Sequence, residues 1–501
     1  MCFVFLKNCN LIDCLREKSR NCTIFIKPPF IDKIIFKPDL AVKLANYLKK
    51  NLGEVTEYDL KGGYILPGFT DSHTHLLARG IELQRVDLST CRSPQECLEK
   101  LRSARHEKII FGVNWDDAGW TKGKIADLNR QVLDKISKNK PVIMRRICGH
   151  FAICNTRVLK FIPAEWRIVD RSQGYLYEDA ALYINKIFPP DFAMYEKGLK
   201  EAMAEALALG ITSIHEITDQ RGFRIYQNLK KELRLRVALY LTDELGILAK
   251  AGLQSNFGDD YLKFSGKKIF LDGSIGARTA AVRKPYIRSQ NYGKLLMTEQ
   301  ELTELIKTAE NYSIQLMIHS IGDRATEVIL NAFKRAKVKS NRLRHRLEHL
   351  EILDKRLIQK IARVDLIASM QPNFLRWQTP GGLYERNLGI RYQRMNCFSE
   401  VKKAGVKLIF GSDCMPLGPF YGINLAVNHP VEDFCLSPAE AIALYTQTPA
   451  WATFDEDKKG KLEENKFADL LVLDKDPLKK ENLAQIKIVK VFVGGSLVYQ
   501  Q

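Results

Sequence analysis

The feature that most restricts how this chain folds is a recurring unit: a short apolar run, then Gly, Asp, Ser or His, then a helical stretch. Ile211-Thr212-Ser213-Ile214, Lys268-Ile269-Phe270-Leu271, Leu316-Met317-Ile318 and Lys407-Leu408-Ile409-Phe410 are instances. Strands alternating with helices predict a parallel sheet with helical crossovers, an α/β class of fold. In a (β/α)8 TIM-type barrel the C-terminal ends of such strands converge on one place. Residues from about 85 to 190 break the rhythm and carry Trp115, Trp120 and Trp166. They read as an insertion that could roof the barrel.

The two ends of the chain read differently. Phe3-Val4-Phe5-Leu6, Thr23-Ile24-Phe25-Ile26 and Lys33-Ile34-Ile35-Phe36 are strand-like, with a helical patch from Asp39 to Lys50. Ala468 to Leu473 and Ile486 to Val493 are strands, and Gly494-Gly495 turns the second into a last strand, Ser496 to Tyr499. Both ends are expected to pair into one small β-sandwich. The division expected is residues 1–65 for the first part of that sandwich, 66–455 for the barrel and 456–501 for the second part. With 501 residues, 46% of them hydrophobic, the chain has material for a large core and a smaller domain.

The formal charge is +19, from 77 Lys and Arg against 58 Asp and Glu. These basic residues are scattered as singles and pairs, with no run interleaved with aromatics, so no nucleic-acid partner is expected. No stretch approaches the roughly 18 apolar residues of a membrane span, and the opening apolar residues end at Lys7, too early for a signal-peptide core. Eleven cysteines at irregular spacing suit reduced thiols in the cytoplasm. The expected partner is a small-molecule substrate, with a homo-oligomer left open.

Nine histidines in 501 residues make their positions informative. His73 and His75 follow Pro67-Gly68-Phe69-Thr70-Asp71, and His-x-His at a strand end puts both rings on one face. Two imidazoles on one face suit a divalent cation. His319 ends Gln315-Leu316-Met317-Ile318, His349 ends Arg346-Leu347-Glu348, and Asp413 follows Gly411-Ser412 after the run to Phe410. Each stands where a strand gives way to a loop, which in a barrel is the active-site end. One such residue is usually a turn or a cap; four such places bearing metal-ligand side chains point to a metal centre.

At this point the sequence resembles the amidohydrolase superfamily, in the amidohydrolase 3 branch that includes N-substituted formamide deformylase-like proteins. The motifs that carry the resemblance are PGFTDSHTHL (67–76), FLDGSIGARTA (270–280), HSIGDRA (319–325), RLEHLEIL (346–353), GSDCMP (411–416) and KFADLLVLDKDP (466–477), and CGHFAICN resembles the branch's insertion. The resemblance implies a metal-binding barrel with a β-sandwich from both ends. It implies that His73, His75 and Asp413 bind a first metal, and His319 and His349 a second. Lys268 is then the candidate bridging ligand as a carboxylated lysine, four residues before Asp272. Strand parity favours it over Lys267, because Lys268, Phe270 and Asp272 share a face; a plain interior lysine paired with a carboxylate is the other reading. The cofactor expected is one or two divalent ions, zinc first, with Mn, Fe or Ni also suited to such ligands.

The chemistry implied is hydrolysis of a non-peptide C–N bond in an amide or N-formyl compound, with Asp413 as acid and base. Deaminase or cyclic-amidase chemistry on the same centre is the alternative. A non-catalytic basic binding protein is the reading from another class, and it leaves six ligand-type side chains unexplained. His150, Asp272, Arg278 and Trp115 are candidates for contact with substrate. His215, following the run 211–214, reads as a buried hydrogen-bonded residue that could reach the site. Asp323 reads as a helix cap, and His106, His345 and His429 as surface or loop residues.

Overall fold

Eight segments are buried along almost their whole length, as strands covered on both faces by helices and a packed interior must be. They are β1 (Phe69–Thr74), β2 (Ile211–Thr218), β3 (Arg236–Leu241), β4 (Leu262–Phe270), β5 (Gln315–Ser320), β6 (Arg346–His349), β7 (Ile367–Met370) and β8 (Leu408–Phe410). The computed structural model describes residues 3–52, 55–117, 120–147, 149 and 151–501. In it these strands pair in parallel, each with the next, from β1 to β8. The remaining seam is drawn together by the Asp413 amide donating to the His73 carbonyl (2.8 Å) and the Ser412 amide donating to the Asp71 carboxylate (2.9 Å). The result is the (β/α)8 barrel expected from the alternation. Two strands start or end beyond the apolar runs: β2 continues to Thr218, so His215 lies within the strand, and β4 begins at Leu262.

Both chain ends contribute to a second sheet. Phe3–Asp13, Lys18–Lys27, Phe30–Ile35, Val55–Asp59 and Tyr64–Pro67 join Leu470–Leu473, Ile488–Val493 and Ser496–Gln500. Alternation along Phe3–Asp13 divides its side chains between two clusters. Val4 and Leu6 pack with Ile24, Ile65, Leu470 and Phe492, whereas Phe3 and Phe5 meet Ala41 and Leu48 of the helix Pro38–Leu52. Gly494 and Gly495 have φ of +54° and +78°, the left-handed backbone a two-residue hairpin turn requires. A bidentate ion pair, Arg236 to Asp469 at 2.6 and 2.9 Å and almost fully buried, ties β3 to the end of the chain.

Leu76–Ala202 forms a compact unit of its own, apart from the unit made by Met1–His75 and Met203–Gln501. It is wider than the break at 85–190 suggested. The helices Leu76–Leu83 and Phe192–Ala208 meet at Gly80 and Gly198, where a Cβ on either would lie 2.5 Å from the other's backbone. Its six-stranded sheet includes Ile110–Trp115, Val142–Arg146 and Phe151–Cys154. Asn155, at the end of the CGHFAICN motif, is fully buried with its amide saturated. It accepts from the amides of Val142 and Val158 and donates to the carbonyls of Ser137 and Lys140.

Candidate metal centre at the barrel mouth

Strand ends bring six side chains together. His73 is on β1 and His75 just beyond it; Lys268 is on β4, His319 on β5, His349 at the last residue of β6, and Asp413 three residues past β8. His75 Nε2 lies 3.3 Å and His73 Nε2 3.8 Å from Asp413 Oδ1, and Lys268 Nζ lies 3.3 Å from His73 Nε2. The His349 ring sits between the other two, its centroid 4.8 Å from His73 and 4.5 Å from His319. Ligand atoms of His73, His349 and Asp413 lie within 4.8 Å of one another, close enough to hold a metal ion together.

Period-two alternation alone would send Glu348 and His349 to opposite faces of β6. Both nevertheless serve the same centre. His349 and Leu350 have φ of +73° and +49°, and this left-handed backbone turns the imidazole back towards the barrel axis. Asp413 and Cys414 repeat the device with φ of +54° and +55°. Consecutive left-handed residues that are not glycine carry strain, and such strain collects where a side chain must be aimed.

Two of the histidines are oriented by carboxylates. His73 Nδ1 lies 2.5 Å from Glu348 Oε2, and His319 Nδ1 lies 2.9 Å from Asp272 Oδ1. Each ring then presents Nε2 as its unprotonated nitrogen, the arrangement typical of metal-ligating histidines. Asp272 is itself fixed by the amides of Ala281, Ile321 and Gly322. His349 Nδ1 is buried and unpartnered among the described residues, as an unsatisfied ligand atom would be. The donor set of imidazole, carboxylate and amine fits a divalent cation.

Burial, and then the nearby Lys268 charge, hold the His73 imidazole well below its usual pKa; burial and the neighbouring His319 do the same for His349. Burial pushes the Lys268 amine down to about 8 against the pull of Glu348 and Asp413. Burial opposes ionisation of Asp413, but His73 and His75 outweigh it and leave its pKa lowered. Burial opposes a charge on His75, but the hydrogen bond to Asp413 and the Asp413 charge outweigh it and raise its pKa, so the cluster favours neutral His73 and His349 beside an ionised Asp413.

The other expected residues fall in varied places. Asp272 holds His319 and backbone amides rather than facing outward, because all its hydrogen bonds are already taken up within the fold. Arg278 donates to Asn387 at 2.6 Å. Trp115, expected as a candidate for contact with substrate, is fully enclosed in the core of the Leu76–Ala202 unit, stacked on Trp120 at 5.5 Å. His150 lies outside the described residues. His215 is buried and bonded to Arg346 at 2.8 Å. Asp323 is the first residue of its helix, with Gly322 at the cap, and pairs with Arg283. His345 lies in the loop that leads into β6, but it is not at the surface: it is fully buried, accepting from the Leu316 amide and meeting Glu310. His429 is buried within its loop, and His106 is exposed beside Glu107. The sequence reading assigned no role to Arg346 or Glu348. Their shared parity on a strand inside RLEHLEIL was the available signal.

A family model described as the amidohydrolase family matches residues 56–499. The chain belongs to the amidohydrolase family. Among relatives, this amidohydrolase is 28% identical to a protein of Bacillus subtilis (strain 168) named as amidohydrolase YtcJ, over 91% of this chain and 93% of that one. It is 24% identical to N-substituted formamide deformylase of Arthrobacter pascens, over 88% and 90% of the two chains. A solved structure of an uncharacterized metal-dependent hydrolase from Pyrococcus furiosus is similar with a TM-score of 0.81 and 28% identity, covering 95% of this chain and 100% of that one. Family membership makes the chain a hydrolase. No helix among the described residues is long and apolar enough to cross a membrane.

Proposed function

We propose that this amidohydrolase uses a divalent metal centre to hydrolyse a non-peptide C–N bond in a small amide or N-formyl compound. The observation that carries the reading is the convergence of His73 and His319, each oriented by a carboxylate, with His75, His349, Lys268 and Asp413. Similarity to N-substituted formamide deformylase supports the N-formyl class of substrate.

His73, His75 and Asp413 are the proposed ligands on one side, and His319 and His349 on the other. These residues would hold a divalent cation, zinc as first choice, which when bound would polarise the scissile carbonyl and lower the pKa of a water from about 15.7 towards about 7. Asp413 takes a proton from the attacking water and returns it to the nitrogen as the C–N bond breaks, leaving an acid and an amine. Lys268, with its amine near pKa 8, is neutral in a useful fraction of molecules. That neutral amine can add carbon dioxide and release a proton, and the resulting carbamate would give Lys268 a carboxylate-like oxygen to offer a metal. The irregular spacing of its cysteines supports a cytoplasmic location.

Elemental analysis of protein purified without chelator tests this. About two divalent ions per chain are expected. Consistent recovery of about one removes the two-metal form. No metal, even after loading, ends the enzymatic reading.

A further inference from the structure

The barrel interior holds a buried ion pair, Arg346 with Glu348, and the proposed reaction gives its arginine no task. Arg346 and Glu348 stand two residues apart on β6, on one face, and neither is exposed to solvent. Arg346 Nε meets Glu348 Oε1 at 2.6 Å and Nη2 meets Oε2 at 3.1 Å. Apolar residues of similar volume often stabilise a core as well as a buried ion pair does, so stability alone is a weak reason for it. Its surroundings supply a better one. The guanidinium also donates to the Ser72 carbonyl (2.7 Å) and Ser369 Oγ (2.7 Å), and meets His215 Nδ1 at 2.8 Å. From β6 it therefore reaches β1, β2 and β7, and it is held against three other strands.

Asp272, which holds His319, is fixed by three backbone amides. Glu348, which holds His73, takes its described hydrogen bonds from Arg346 and His73 alone. Arg346 thus does for Glu348 what backbone does for Asp272. We propose that Arg346 and Glu348 are positioning residues for the metal centre. Arg346 fixes the carboxylate, and Glu348 holds His73 as the Nδ1–H tautomer, so that the Nε2 lone pair faces Asp413 and Lys268. The negative charge on Glu348 strengthens that nitrogen as a donor, and metal affinity depends on it. The inference rests on the metal-centre reading above.

The test is zinc affinity of the full chain, measured by competition with a chromophoric chelator, with circular dichroism reporting the fold. Glu348→Gln keeps the shape and removes the charge. A loss of about 10–100-fold in affinity is expected, the range seen for partners of ligating histidines. In a His73→Ala background the same substitution should change affinity little, because the carboxylate acts through that ring. Wild-type affinity in Glu348→Gln, or an equal loss with and without His73, overturns the inference while leaving the metal centre standing. Failure of the wild-type chain to bind zinc overturns the centre itself, and the inference with it. If Glu348→Gln does not fold, Glu348→Asp decides: it keeps Arg346 balanced but draws the carboxylate back from His73. A tenfold or greater loss supports the inference, and unchanged affinity refutes it.

Discussion

Replacing Asp272 by asparagine exchanges one carboxylate oxygen for an amide nitrogen, and the surroundings allow no harmless way to do so. Oδ1 accepts from His319 Nδ1 (2.9 Å) and the Ile321 amide (3.1 Å); Oδ2 accepts from the amides of Gly322 (2.8 Å) and Ala281 (3.0 Å). If the new NH2 replaces Oδ2, two buried amides lose their acceptor and face another donor. Each buried unsatisfied donor costs about 1–3 kcal/mol, so the variant loses about 2–6 kcal/mol. If the NH2 replaces Oδ1, Ile321 is stranded at about 1–3 kcal/mol. His319 can then accept at Nδ1 only by moving its proton to Nε2, the nitrogen needed for a ligand. One orientation therefore reduces stability and the other reduces both stability and metal binding. Urea unfolding of the metal-free protein, followed by far-ultraviolet circular dichroism, measures the first effect as a lowered midpoint. Elemental analysis after zinc loading measures the second. An unchanged midpoint with full metal content would refute the assignment of Asp272 as the anchor of His319, and would favour contact with substrate instead.

Three further predictions concern Lys268 and Asp413. Burial pushes the Lys268 amine from a usual 10.5 to about 8, so between those values the unfolded chain binds more protons than the folded one. The destabilisation from this residue is then full below about pH 8 and fades as pH rises towards 10.5. Metal-free Lys268→Met should accordingly be more stable than wild type at pH 7, by a margin that shrinks by pH 10; a margin independent of pH contradicts the reasoning. Lys268→Ala should lose the second metal and most activity, with partial rescue by a short carboxylic acid; wild-type activity would make the lysine structural. Asp413→Asn should keep the fold and lower turnover by about 10²–10⁴-fold, the usual contribution of a positioned proton carrier. Near-normal turnover would remove Asp413 from the proton path.

Much of the barrel was readable because most of its strands are short, largely buried runs with Gly, Asp, Ser or His at or just past their ends. That pattern marked His73, His319, His349 and Asp413 as neighbours despite their distance in sequence, and parity marked Lys268 over Lys267. The structure draws these side chains into one cluster. What stayed hidden depends on geometry that residue type does not carry. Nothing in Arg-Leu-Glu-His announces that left-handed backbone at His349 and Leu350 will turn the histidine to the same centre as Glu348. His345 follows Arg344 in what reads as a loop, and only the fold supplies Glu310 and the Leu316 amide as its partners. Trp115 read as a candidate for contact with substrate because it lies in an insertion that carries three tryptophans. That insertion builds its own sheet and core, and the ring is spent inside it.

The most direct test of the central claim is turnover of an N-formyl amine before chelation, after chelation and after zinc is restored, beside a matched ester and an aminopyrimidine. The account predicts release of the amine by the untreated protein, loss on chelation and recovery with zinc. Amide cleavage indifferent to chelation would contradict the metal centre. Ammonia released from the aminopyrimidine with no amide cleavage would contradict the substrate class and make the protein a deaminase.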